Sequence, residues 1–193
     1  MSRGQFAGAV RSAVRGVWSG ALTPSQGSAS LAGAVTTYLR EAWLAGAEHC
    51  GILPGELTPI EESELLNFTY TQQAFVGRLM RDVYRNRRAV GGELGPFLSR
   101  AGLWEQRYHH AREMGKQMAC ADRKFRWVLG ATEQHCQDCT TAAGRVHRAS
   151  IWKKYGWEPG SSRLSCRGFN CDCSFEETDD PALPGHPPYP RGS

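Results

Sequence analysis

Five cysteines crowd one end of this 193-residue chain. Cys136 and Cys139 form a C-x2-C pair, 26 residues follow, and Cys166, Cys171 and Cys173 form C-x4-C-x-C. A C-x2-C turn can present two thiolates to one ion, and the second group can supply two more. Zn²⁺ favours four such ligands in a closed tetrahedron at structural sites. Cys136, Cys139 and Cys171 fit every arrangement considered. The fourth ligand is Cys166, if Gly168 helps make a second turn, or Cys173, if Cys171 and Cys173 share one face of a strand. The spacing leaves both open. The surrounding stretch has little to bury, so a structural metal would supply folding free energy on the order of 10 kcal/mol.

Other chemistry fits less well. A thioredoxin-type redox pair would use Cys136 and Cys139 and leave three cysteines idle. Disulfides would require an oxidising compartment. A zinc deaminase needs H-x-E upstream of P-C-x-x-C, whereas "HHARE" has the wrong spacing and no proline precedes Cys136. No Ser/His/Asp set, phosphate-binding glycine loop or supported carboxylate pair is visible, so no enzyme is expected. His135 and His147 read as solvent-facing. His109 and His110 are adjacent on a helix and point in different directions. Cys50 and Cys120 stand alone in helical segments and read as small hydrophobes. The odd total of seven cysteines points to a reducing compartment.

The elements that must position these residues are α+β. A mainly helical region spans 1–122, with helices near 5–18, 28–48, 59–88 and 97–120. In the first, Phe6, Val10, Ala13, Val14 and Val17 share a face. It is short enough to be marginal alone in water, so it is expected to order only against a partner. Thr58-Pro59-Ile60-Glu61 is a capping box with proline in the first turn. A small zinc-stabilised β module spans 123–177. Phe125, Trp127 and Leu129 alternate as one strand, and Cys171, Cys173 and Phe175 as another. The stretch between them reads mostly as loop. Residues 178–193 are proline-rich and read as an extended or mobile tail.

Charge is unevenly spread. The first 40 residues carry four arginines and no acid. From Arg78 to Arg126 there are twelve Lys/Arg against five Asp/Glu. Arg78, Arg81, Arg85 and Arg88 follow at helical spacing and line one side of the expected 59–88 helix. Such a stripe suits DNA phosphates or an acidic protein partner. No uncharged apolar run approaches the length of a membrane span. The acid-free, Arg-containing N-terminus has transit-peptide character, but a folded basic helix is the simpler reading.

"FRWVLGATEQHCQDC", Gly144, "IWKKYGWEPGS" and "CRGFNCDCSFEE" together resemble the C-terminal module of tailed-phage minor head proteins, the Mu F-like head morphogenesis family. The likeness covers about residues 112–177. It departs at the end, where the family often has His-Pro-x-Cys-Arg-Cys. Gly168 stands at the histidine position here and Asp172 at the arginine, which leaves Cys166 as a substitute ligand. The resemblance implies a virion protein of the phage head, assembled in the bacterial cytoplasm with portal and major capsid proteins as partners. Packaged DNA is a further candidate partner. The competing reading is a zinc-containing DNA-binding regulator, although no helix-turn-helix signature is present.

Overall fold

A computed structural model describes residues 2–192 and has the expected α+β class. Among the described residues, α-helices dominate and one three-stranded antiparallel sheet lies near the C-terminus. The chain forms two compact units. Unit 1 holds Met1–Glu41 and Glu62–Tyr108; unit 2 holds Ala42–Glu61 and His109–Ser193.

Unit 1 is built from α1 (Arg3–Ser19), most of α2 (Pro24–Ala47), α3 (Pro59–Gln73), α4 (Val76–Arg85) and the first half of α5 (Gly95–Ala119). Ser2 and Gln5 close a capping box on α1, and Gly20 ends it in the left-handed region at φ 85°. Phe6, Val10, Val14 and Val17 are fully buried, and α1 packs on α4, whose Val76, Leu79, Met80 and Val83 are buried too. The first helix therefore needs no external partner to cover its apolar face. Marginal stability applies to isolated helices, and each large side chain buried here contributes about 1.5–3 kcal/mol.

The helix expected over 59–88 is two helices. α3 stops at Gln73, and α4 starts at Val76. No proline marks the break, and Gly77 follows it within the first turn of α4. Thr71 donates its hydroxyl to the Asn67 carbonyl (2.8 Å), and Gln73 reaches Thr36 (2.7 Å), so local and tertiary side-chain bonds hold it. The capping box at Thr58 is present: Glu61 accepts from the Thr58 amide (2.8 Å), and Thr58 Oγ1 accepts from the Glu61 amide (3.3 Å).

Unit 2 takes the end of α2, the second half of α5, and everything after it. Its compact body thus starts well before residue 123. Two glycines explain why α2 and α5 belong with the cysteine-rich segment. A Cβ on Gly46 would strike the Arg112 carbonyl and the Lys116 amide, and one on Gly115 would strike the Trp43 carbonyl. The two backbones therefore approach closely at this crossing. In the sheet, β1 (Lys124–Val128) lies between β2 (Val146–Arg148) and β3 (Ser174–Glu177), with Phe125 opposite His147 and Trp127 opposite Phe175. The stretch expected to be loop contains β2 and two short helices, α6 (Gln137–Ala142) and α7 (Ala149–Lys154).

This unit has an apolar core, although its cysteine-rich stretch reads as having little to bury. Phe125, Trp127, Trp152, Trp157, Leu164 and Phe175 form one buried cluster. Trp127 meets Trp157 and Phe175 edge-on, with centroids 5.4 and 5.5 Å apart. Such pairs contribute about 0.5–1.5 kcal/mol each beyond the area they bury. Cys50 and Cys120 are not lone hydrophobes. They form a disulfide with Cα atoms 5.6 Å apart, because the turn after α2 comes to rest beside the end of α5. A disulfide sits poorly with the reducing compartment inferred from cysteine count alone.

The tail is not loose either. Trp157 donates its indole N–H to the Pro188 carbonyl, His186 stacks on Tyr155 at 4.3 Å, and Leu183 donates to the Val146 carbonyl (2.9 Å). A proline-rich segment cannot form its own ladder, but its carbonyls and rings find partners on unit 2.

Candidate metal centre

Three short pieces of unit 2 bring the cysteines together. Cys136 is the N-cap of α6, and its sulfur accepts from the Cys139 amide (3.5 Å). Cys139 is buried in the first turn. Cys166 lies in a run of turns where Arg167, Gly168 and Asn170 all have positive φ (53°, 72° and 48°). Cys171 and Cys173 precede β3 in extended chain, both buried. Gly130 admits this segment, since a Cβ there would collide with the Asp172 backbone.

The five thiols form two triads that share Cys139. Cys136, Cys139 and Cys166 make one; Cys139, Cys171 and Cys173 make the other, and within each all sulfurs lie within 4.8 Å. All five line a pocket of about 20 Å³. Cys139 and Cys171 sulfurs are 3.9 Å apart. Two thiolates on a tetrahedral Zn²⁺ stand about 3.8 Å apart, given Zn–S bonds of about 2.3 Å. The donor set and spacing thus fit a metal ion. The Cys171 and Cys173 sulfurs lie within 4.8 Å of each other, although both residues precede β3 and do not belong to the strand. Of the expected ligands, Cys136 and Cys171 fall in different triads, and Cys139 is common to both.

Local fields differentiate the thiols. Hydrogen bonds from Cys139 and then Cys171 pull Cys173 down to about 3, against burial, and the Gly130 amide and Trp127 indole add to the pull. Cys171 is lowered by Cys139 and then Cys166. Cys139 is driven strongly upward by Cys166, Cys171 and Cys173 together with burial. The surroundings of Cys139 thus favour its thiol form, and those of Cys173 its thiolate.

Several supporting residues had no clear sequence signal. Asp138, inside the C-x2-C, is almost fully buried and accepts from the Ser165 amide (2.7 Å), the Ser165 hydroxyl (2.6 Å) and the Arg191 amide (3.1 Å). Burial raises its pKa, but these bonds outweigh burial and bring it below the ordinary value. It ties α6 to the Cys166 loop and to the tail. His135 is half-buried, not exposed, with Nδ1 4.0 Å from the Cys173 sulfur. His147 is also buried, edge-on to Trp152 at 4.9 Å, because its neighbours in β2 leave it on the core side. Burial, then Arg145 and His186, lower its pKa.

α5 holds the segment that carries Cys173. His109 Nε2 donates to the Cys173 carbonyl (2.7 Å), Glu113 accepts from the Phe175 amide (2.9 Å), and Lys116 donates to the Phe175 carbonyl (3.0 Å). β3 is an edge strand, and these three side chains occupy its outer hydrogen-bonding groups as a neighbouring strand would. Their spacing of four and three puts them on one helix face. His110 faces elsewhere, 3.6 Å from Glu158.

The arginine stripe is only partly a unit. Arg78, Arg81 and Arg85 are exposed on α4 and make no ion pair among the described residues. Arg88 lies beyond the helix end, in a 3-10 turn, because Asn86 caps α4 with its side chain on the Asp82 carbonyl (3.0 Å). Asp82 pairs with Arg100 (3.0 Å) and is lowered mainly by it, with Arg78 and Arg85 adding to the effect.

Compared with known proteins, the chain matches no family model, no curated protein and no solved structure. No helix among the described residues is long and apolar enough to cross a membrane.

Proposed function

We propose that this chain is a structural protein of a tailed-phage head, of the Mu F-like minor head type, with a structural Zn²⁺ in unit 2. The observation that carries the reading is the order of parts between β1 and β3. An aromatic strand leads to a C-x2-C, a tryptophan-bearing segment follows, and a C-x-C pair runs into the closing strand, with all the cysteines drawn to one small pocket. In this reading the cysteine pairs join loops that the aromatic core leaves uncovered. The ion holds Cys139, Cys171 and Cys173, and Cys136 or Cys166 completes the tetrahedron. Portal and major capsid proteins are the partners. No catalytic role is assigned to the metal.

Two measurements test it. Mass spectrometry of purified heads should find the chain in few copies; its absence from the particle overturns the virion reading. Native mass spectrometry of the reduced, purified protein should find one Zn²⁺ per chain. Removing it with a chelator should expose residues 134–140 and 165–173 to hydrogen exchange while 124–128 stay protected. A metal-free chain with those loops already protected would remove zinc from the account.

The exposed arginines of α4 favour a second reading, a zinc-containing DNA-binding regulator. Non-specific duplex binding that survives Arg78→Gln, Arg81→Gln and Arg85→Gln with an unchanged salt slope would count against it.

A further inference from the structure

Unit 1 carries a groove that is separate from the metal centre and shares only Arg78 with the arginine stripe. Its floor is apolar: Phe75, Leu79, Leu103 and Trp104. Its rim is cationic: Arg78, Arg100 and Arg107. The volume is about 310 Å³, enough for one or two large side chains. No acidic residue is among its lining. Phe75 is 58% exposed and Leu103 40%, although both are large and apolar. The break between α3 and α4 leaves Phe75 at the start of α4, outside the buried face. Trp104 itself is buried, and its indole N–H has no acceptor among the described residues.

We propose that this groove docks an acidic peptide segment of a protein partner, anchored by one aromatic or branched aliphatic side chain. The floor takes the anchor, as pockets at the centre of protein interfaces do. The rim takes the carboxylates that flank it, since guanidinium forks match carboxylates in geometry and charge. Asp82 holds Arg100 in place at 3.0 Å yet leaves its side chain 45% exposed, so Arg100 is pre-positioned for a second carboxylate. Nucleic acid fits this site less well. Phosphate contacts need cations but no apolar floor, and Arg81 and Arg85 would serve phosphates from outside the groove. Capture of such a peptide would hold whether or not the chain is a virion component.

Panning a library of short random peptides on the full-length protein tests this. Enriched peptides should carry a Phe, Trp, Leu or Ile within a run of Asp and Glu. Their amide-shift footprint should fall on Phe75, Arg78, Leu103 and Arg107. Leu103→Asp and the pair Arg78→Glu, Arg107→Glu should each weaken binding about tenfold or more. These positions are at the surface or rim, and the Trp127 core signal in near-ultraviolet circular dichroism should be unchanged. Enrichment of acidic peptides without an apolar anchor, bound equally well by Leu103→Asp, would reduce the groove to a charged surface. No enrichment over the Leu103→Asp control, or duplex DNA displacing the peptides with shifts at Arg81 and Arg85, would overturn the proposal.

Discussion

Units 1 and 2 solve the same problem with different side chains. Unit 1 buries aliphatic faces of helices and keeps its charges outside; Thr69 is its one buried polar residue among those described. Unit 2 takes Glu61, His110, Glu113, Lys116, Gln117, Asp138, His147 and Ser161 inside. Helices satisfy their own backbone, so unit 1 has no need of internal polar side chains. Unit 2 has only three short strands and many turns, and its free backbone groups must be met by something. Glu113, Lys116, His109 and Gln117 meet them at Phe175, Cys173 and the Trp157 carbonyl (2.9 Å). The contrast also separates two kinds of arginine. Arg78, Arg81 and Arg85 of α4 face outward and make no ion pair among the described residues, whereas Arg123, just before β1, and Arg126 on it are paired with Glu177 and Asp180.

The comparison can be broken first at the aromatic core. Trp127→Ala should cost about 3–5 kcal/mol and remove most near-ultraviolet circular dichroism. If instead chelation of the metal abolishes that signal in the wild-type chain, the core depends on the ion and the contrast drawn here is wrong. The disulfide comes next. It closes a sequence separation of 70 residues, and the chain-entropy estimate for such a loop is about 4 kcal/mol. Cys50→Ser should lower the denaturation midpoint accordingly, and adding reductant to the variant should change nothing more. A further drop would mean that another disulfide forms among the five clustered cysteines.

A smaller effect tests the backbone clamp. Glu113→Gln should cost about 1–3 kcal/mol, because the Phe175 amide loses a charged acceptor and Lys116 its buried neighbour. Hydrogen exchange should rise at Phe175 before it rises at Trp127. Equal rises would mean that β3 is held by its sheet partner alone. The smallest effect is a pH dependence. Burial raises the Glu158 pKa, but His110, then Lys153 and Arg163, outweigh burial and bring it below the ordinary value. A depressed carboxylate stabilises the fold fully above its unfolded pKa of about 4.3. That contribution is lost as the pH falls through the lower, folded value. Glu158→Gln should therefore flatten the acid limb of the denaturation midpoint below about pH 4.3. An unaltered limb would assign acid sensitivity to other groups, Asp138 first.

Local signals in the sequence located much of this molecule. Apolar spacing marked α1, α2 and α5, the Thr58 box marked the start of α3, and alternation marked β1. C-x2-C and C-x4-C-x-C marked five residues that meet in one pocket, because ligand spacing along a turn or strand is itself a local property. What the sequence could not determine depended on partners distant in the chain. Cys50 and Cys120 are 70 residues apart, and only the crossing at Gly46 and Gly115 brings their segments together. Trp152 and Trp157 read as loop residues until β2 and β3 close over them. The tail read as extended or mobile because composition counts what a segment can bury by itself, not the Asp138 carboxylate or Trp157 N–H waiting elsewhere. His135 and His147 looked solvent-facing for the same reason. The grouping of the thiols into two triads on Cys139 was decided by where α6, the Cys166 turn and the segment before β3 meet, which no spacing rule encodes.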